Sequence, residues 1–140
     1  MVYNFTIDGR PMTKKNSMTK TRYGLIQSKQ YRDYEKAALY QLMTQKPRGF
    51  RTIACAARMT ARYYMPSRKG WPDLFGLVQA TADILEKAGI VEDDGYIADV
   101  AYSCIAGVDP VWPRAEIKVI PLPDDKLNEL NPKLRKKVKK

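Results

Sequence analysis

The stretch from Thr52 to Met65 constrains this chain more than any other. Ile53, Cys55, Ala57, Met59, Ala61 and Tyr63 alternate there with Arg58, Thr60 and Arg62. Alternation with a period of two over that length describes a β-strand with one face buried and one face wet, so the fold contains a sheet whose outer face is basic. A second alternating run, Val2 to Asp8, sets Tyr3, Phe5 and Ile7 on one side and ends at Gly9 and Pro11. Further strands are expected at Tyr96–Ile105 and at Arg114–Leu122, the latter with Ala115, Ile117 and Val119 inward, and a short extended segment at 90–95.

Two segments carry the helical period instead. Ser28 is a good N-cap for a helix to about Gln45, with Tyr31, Tyr34, Ala38 and Leu42 on one stripe and Pro47 and Gly49 beyond it. Asp73 caps a second helix to Ala88, whose packing stripe is Leu74, Leu77, Val78, Thr81, Leu85 and Ala88, and Gly89 is placed to stop it. The order strand, helix, strand, helix, strand, strand implies an α+β domain, a mixed β-sheet of about four strands with two main helices packed on it. That domain is read as residues 1–125, followed by a basic C-terminal tail at 126–140 that is either a short helix or a mobile arm.

Charge narrows the partners. The net charge of +10 favours polyanions, nucleic acid before anionic membrane. Six of those charges, Lys133, Arg135, Lys136, Lys137, Lys139 and Lys140, lie in the tail, so the folded body is only moderately basic. In the body, positive side chains gather in three places. Arg10, Lys14, Lys15, Lys20 and Arg22 form a polar basic loop without an acid, Arg58 and Arg62 lie on the outer face of the long strand, and Arg68 and Lys69 sit beside Trp71 in the loop of residues 66–72. All are candidate phosphate contacts; Trp71 is either a buried anchor, the reading preferred here, or an aromatic that stacks at a branch point. Trp112, between Pro110 and Pro113, reads as a loop anchor.

The complete absence of histidine removes Ser-His-Asp triads, Cys-His dyads and histidine metal ligands, so any catalysis must run on carboxylates, lysines or metal ions. Cys55 and Cys104 are too few for a zinc site and read as buried free thiols. No apolar stretch approaches the roughly 20 residues of a membrane helix, and Met1-Val2-Tyr3-Asn4 lacks the pattern of a secretory signal. A cytoplasmic protein with no membrane partner and no small-molecule cofactor is expected.

Against this basic background stand Asp73, Glu92, Asp93 and Asp94, four acids bracketing the second helix. Clustered carboxylates amid positive charge suit a divalent cation held beside a phosphate. The helix spans about 24 Å at roughly 1.5 Å per residue, and an extended return from Gly89 to Asp94 covers about 17 Å, so a chain that doubles back brings Asp94 towards Asp73. In an extended run Glu92 and Asp94 share a side and Asp93 faces the other way. The plainer readings are an N-cap for Asp73 and an ordinary turn for Asp93-Asp94-Gly95.

Over most of its length the chain resembles the RusA family of Holliday junction resolvases, small dimeric endonucleases often encoded by prophages. The resemblance rests on Arg10-Pro11-Met12-Thr13-Lys14-Lys15-Asn16-Ser17, on Ser28-Lys29-Gln30-Tyr31, and on the ordered set Asp73-Leu74, Ala88-Gly89 and Asp93-Asp94. It implies a metal-dependent, structure-selective endodeoxyribonuclease that resolves four-way DNA junctions as a homodimer in recombination and repair, in a bacterial host or encoded by a phage, with Mg²⁺ or Mn²⁺ as cofactor. It also implies metal ligands at Asp73, Asp94 and Asp93. The chain departs from the family pattern at Phe75 and Gln79, where an aspartate and a lysine are expected. Two readings follow. In one the site is rebuilt, with Glu92 or Asp83 supplying the absent carboxylate and Lys14, Lys15 or Lys69 the absent cation. In the other the protein binds branched DNA without cleaving it.

Overall fold

The computed structural model describes residues 1–14, 18–22 and 24–134, with backbone alone for 18–21 and 24–27. Among these residues a five-stranded mixed sheet is built from β1 (Tyr3–Asp8), β4 (Ala57–Met65), β5 (Ile97–Asp99), β6 (Cys104–Val108) and β7 (Arg114–Pro121), one strand more than the pattern predicts. A separate hairpin of β2 (Met18–Thr21) and β3 (Gly24–Gln27) lies within the segment read as a basic loop. Met18-Thr19-Lys20-Thr21 and Gly24-Leu25-Ile26-Gln27 are too short to show an apolar alternation from which two strands could be inferred.

β4 is the axis of the sheet. It pairs antiparallel with β7 from Ala57↔Pro121 to Tyr64↔Arg114, and β7 pairs antiparallel with β1. Ala57, Met59, Ala61, Tyr63 and Met65 are buried on one face, while Arg58, Thr60, Arg62 and Tyr64 occupy the other, as the period of two requires. The strand begins at Ala57 rather than Thr52; upstream, Ile53 makes a single bridge to Val91. The predicted strand at 96–105 is split. β5 and β6 both run parallel to β4 along the same edge, separated by a turn in which Asp99 Oδ1 accepts the Ala101 N–H at 2.7 Å and Tyr102 adopts φ 66°.

α1 (Lys29–Gln45) is capped by Ser28, whose hydroxyl accepts the Tyr31 N–H at 3.2 Å. It buries Tyr31, Ala38 and Leu42 and also closes the β1 edge. Gln45 exchanges two 2.7 Å hydrogen bonds with the Thr6 backbone, and Gln41 accepts the Asp8 N–H at 2.7 Å. These side-chain amides satisfy an edge that would otherwise be open to another strand.

α2 (Leu74–Lys87) is the element that positions the site. Asp73 caps its start by accepting the Gly76 N–H at 3.3 Å. Its end is a Schellman turn, with Gly89 at φ 72°, Gly89 N donating to Glu86 O at 3.0 Å and Ile90 N to Leu85 O at 2.9 Å. Leu77, Ile84 and Leu85 pack with Met59, Ala61 and Tyr63 of β4 in the main core. Within it the Tyr63 hydroxyl meets Thr81 Oγ1 at 2.7 Å, while Thr81 Oγ1 donates to Leu77 O at 2.8 Å.

The chain after β7 folds back instead of running free. A short α3 (Leu127–Leu130) follows, Asn128 is buried, and Leu134 is packed with Ala56 and Tyr96. The remaining basic tail, 135–140, lies outside the described residues. No helix among the described residues is long and apolar enough to cross a membrane.

Candidate active site

After the Schellman turn the chain is pinned rather than sent back along the helix: Ile53 N donates to Ile90 O and Glu92 N to Ile53 O, both at 2.9 Å. A 3₁₀ turn at Asp94–Tyr96 follows, in which Asp93 Oδ1 accepts the Gly95 N–H at 2.8 Å. The Asp94 N–H donates to Glu86 Oε1, also at 2.8 Å, so the turn is stitched to the last turn of α2. Glu86, Asp93 and Asp94 are thereby gathered, each offering a carboxylate oxygen within 4.8 Å of the others.

This trio differs from the predicted set in three ways. Glu86 belongs to the trio although no sequence pattern marks it. Glu92 is exposed and lies outside the trio, because the extended alternation ends at Asp93 and the 3₁₀ turn puts Asp93 and Asp94 together. Asp73 is at the far end of α2, about 20 Å from Glu86 at roughly 1.5 Å per residue, so the return that would bring Asp94 to Asp73 within one chain does not occur.

Asp83 is tied up in ion pairs. Its Oδ2 lies 2.7 Å from Lys14 Nζ and 3.3 Å from Lys87 Nζ, and Lys87 also reaches Glu35 at 2.9 Å. Burial alone would raise the Asp83 pKa, but the two ammonium groups outweigh it and hold the carboxyl below its usual range. Asp93 is likewise held low, by Lys133 Nζ at 2.8 Å and by the Gly95 N–H. Asp94 goes the other way. Burial, with the negative charge of Glu86, Asp93 and Asp83 around it, pushes its pKa up. Three hard oxygen donors crowded to the point of mutual repulsion fit a divalent cation, which would relieve that repulsion.

The opposite end of α2 is basic. Arg10 Nη2 donates to Gly70 O at 3.2 Å and so draws the first loop to the loop carrying Arg68 and Lys69, both exposed. Trp71 is 44% exposed rather than buried, with its indole N–H held by Ser67 O at 2.6 Å. Thr13 is buried against the start of α2, where a Cβ on Gly76 would come within 3.1 Å of Thr13 Cγ2 and 2.8 Å of Asp73 Oδ1. A side chain at position 76 would force the Asp73 carboxylate and Thr13 to shift. Phe75 projects into solvent beside them, 85% exposed.

On the outer face of the sheet, Arg62 is exposed and Arg58 pairs with Asp99 at 2.8 Å. They line a cleft of about 510 Å³ with Thr60, Tyr102, Glu116 and Lys118. Arg22 is exposed, and Lys15 and the Lys20 side chain lie outside the described residues. Trp112 does anchor its loop, with its indole N–H on Asp8 Oδ1 at 2.6 Å and the Arg114 guanidinium 4.0 Å over its ring. Cys55 and Cys104 are free and half-buried.

Residues 8–120 match the family described as Endodeoxyribonuclease RusA. The chain belongs to the RusA family of endodeoxyribonucleases. Members of the RusA family are metal-dependent nucleases that bind branched DNA junctions. The match takes in α2, the acidic turn and the basic outer face of β4, and stops before the segment that carries α3 and Lys133. No curated protein sequence matches the chain at a significant level.

Proposed function

We propose that this protein is a Mg²⁺- or Mn²⁺-dependent endonuclease that resolves four-way DNA junctions as a homodimer. The observation that carries the reading is the Glu86–Asp93–Asp94 trio at one end of α2, within a chain of the RusA family. When bound, the divalent ion supplies a Lewis acid and an activated water for phosphodiester hydrolysis, so a histidine base is not needed. Glu86, Asp93 and Asp94 hold the ion. Lys14, anchored on Asp83 one turn beyond Gln79, is assigned to the substrate phosphate in place of the family's helix lysine.

Asp73 joins this site through dimerisation. A two-fold axis that sets α2 antiparallel to its copy brings Asp73 of each protomer to the trio of the other, since the two acidic groups mark opposite ends of one helix. Charge supports that pairing: the Asp73 end carries Arg10, Arg68 and Lys69, opposite in sign to the trio it would meet. The exposed Phe75 ring supplies apolar surface at the same place. Two such sites related by a dyad suit the approximate two-fold symmetry of a junction, which needs two symmetric nicks. Arg58, Arg62, Arg22 and Trp71 contact backbone and branch point, which positions DNA without reading its sequence.

Incubation of a synthetic mobile junction with Mg²⁺ tests the reading. Wild type should nick, whereas Glu86→Gln and Asp94→Asn should bind and not nick. Equal nicking by all three would reject these ligands. Junction binding by wild type without nicking in either Mg²⁺ or Mn²⁺ would select the non-cleaving reading that Phe75 and Gln79 raise.

A further inference from the structure

The segment beyond the family match is docked on the acidic turn at several points. Leu122 N donates to Ala56 O at 2.8 Å, and Asn128 accepts the Ala56 N–H at 2.8 Å while donating to Leu122 O at 2.7 Å. Asn131 Nδ2 donates to Gly95 O at 3.1 Å, inside the 3₁₀ turn itself. Leu134, 3% exposed against Ala56 and Tyr96, is the apolar pin that returns the chain, and Lys133 just before it sets its ammonium on Asp93 Oδ2 at 2.8 Å. Gly95 leaves room for this: a Cβ there would lie 3.0 Å from Asp93 Oδ1 and 3.4 Å from Lys133 Nζ. Among the described residues Lys14 and Lys87 pair with Asp83, Lys87 also with Glu35, and Lys133 pairs with Asp93 of the trio.

We propose that Lys133 is a positioning residue of the acidic site, a tethered cation that occupies the trio's field and must yield before a divalent ion binds. The inference rests on the trio being the ion's site. Lys133 holds Asp93 in place and offsets part of the trio's charge when no divalent ion is bound. Its side chain is 60% exposed, so it can swing out without unfolding the segment. Ion affinity is then set in part by a segment that the family match does not include, and anything that undocks residues 122–134 changes it.

Titration of the full-length protein with Mn²⁺ alone, by calorimetry at fixed ionic strength, tests this without any cleavage step. Lys133→Met keeps most of the aliphatic stem and removes the charge. It should tighten Mn²⁺ by at least about tenfold, the effect of one unit charge on a divalent ion roughly 5 Å away even at the dielectric constant of water. Lys133→Arg should match wild type, and Leu134→Ala, which loosens the pin, should shift affinity in the same direction as Lys133→Met. A Lys133→Met variant that binds Mn²⁺ as wild type does, or more weakly, overturns the proposal. If in that case Asp94→Asn still abolishes binding, the trio remains the ion site and the role of Lys133 alone falls. Failure of wild type to bind Mn²⁺ at millimolar concentration would reject both.

Discussion

Mixing two single-substitution variants tests whether Asp73 joins the acidic trio of a second protomer, as proposed. Asp73 and Glu86 lie at opposite ends of α2, about 20 Å apart at roughly 1.5 Å per residue. Two carboxylates that share one cation lie within a few ångströms of each other, since its oxygen ligands sit at about 2.0 to 2.6 Å from the metal. Asp73→Asn and Asp94→Asn homodimers should each lose nicking by at least about 100-fold. Suppose the site is assembled across the dyad. A mixed dimer then has one site carrying both substitutions and one site with neither. Random reassortment of equal amounts makes half the dimers mixed, each with one of its two sites intact, so nicking should recover to about a quarter of the wild-type rate. The products are also diagnostic. Single nicks on a supercoiled cruciform plasmid should return while paired, linearising cuts stay rare, because no mixed dimer has two working sites. An assay that co-expresses the two variants and scores open-circular against linear plasmid reads both quantities. No recovery, in a sample shown by sedimentation to contain mixed dimers, would refute assembly across the dyad and require another route for Asp73 or no role at all.

The other expectations are more local. Asp94→Asn should melt higher than wild type at pH 7 in the presence of a chelator. Burial and neighbouring carboxylates raise the Asp94 pKa, so its neutral form stabilises the fold at low pH and that stability is lost as pH rises through the raised value. The gap should close as pH falls below 3.8, the ordinary carboxylate value, and a gap that persists there would contradict the assignment. Gly76→Ala gains about 1 kcal/mol of helix propensity but crowds Thr13 and the Asp73 cap, a loss of about 1 to 3 kcal/mol. Urea unfolding should show a small net change while nicking falls far more, because Asp73 is displaced; equal losses in both would make the effect structural. Tyr63→Phe removes the donor to Thr81 and should cost about 0.5 to 1.5 kcal/mol in the same assay. Arg62→Ala should lower the slope of log junction affinity against log salt by about 1, and an unchanged slope would remove Arg62 from the DNA contacts.

Both main helices and the strand face that carries Arg58 and Arg62 were legible because their signals are local. Ser28 and Asp73 cap within three residues of themselves, Gly89 stops α2 where only a positive φ serves, and the period of two at Ala57–Met65 follows from backbone geometry. The acidic site was only half legible, because its geometry depends on what the chain does after Gly89. Treating residues 90–94 as a uniform extended run paired Glu92 with Asp94 and aimed both at Asp73. The hydrogen bonds of Ile53 to Ile90 and Glu92 hold that run at the beginning of β4, the end of the sheet opposite Asp73. Once it is held there, the acid that meets Asp93 and Asp94 has to come from the last turn of α2, and Glu86 lies on the turn that faces it. Its spacing alone looks like an ordinary charged helix residue, so no sequence pattern distinguishes it. The tail was half legible for a related reason. Its sequence fits a short helix as well as a mobile arm, and the described part takes the first form, α3, with Asn128 and Leu134 holding the segment back beside Ala56. Leu134, apolar among basic residues, was the available sign, and its burial brings Lys133 to Asp93.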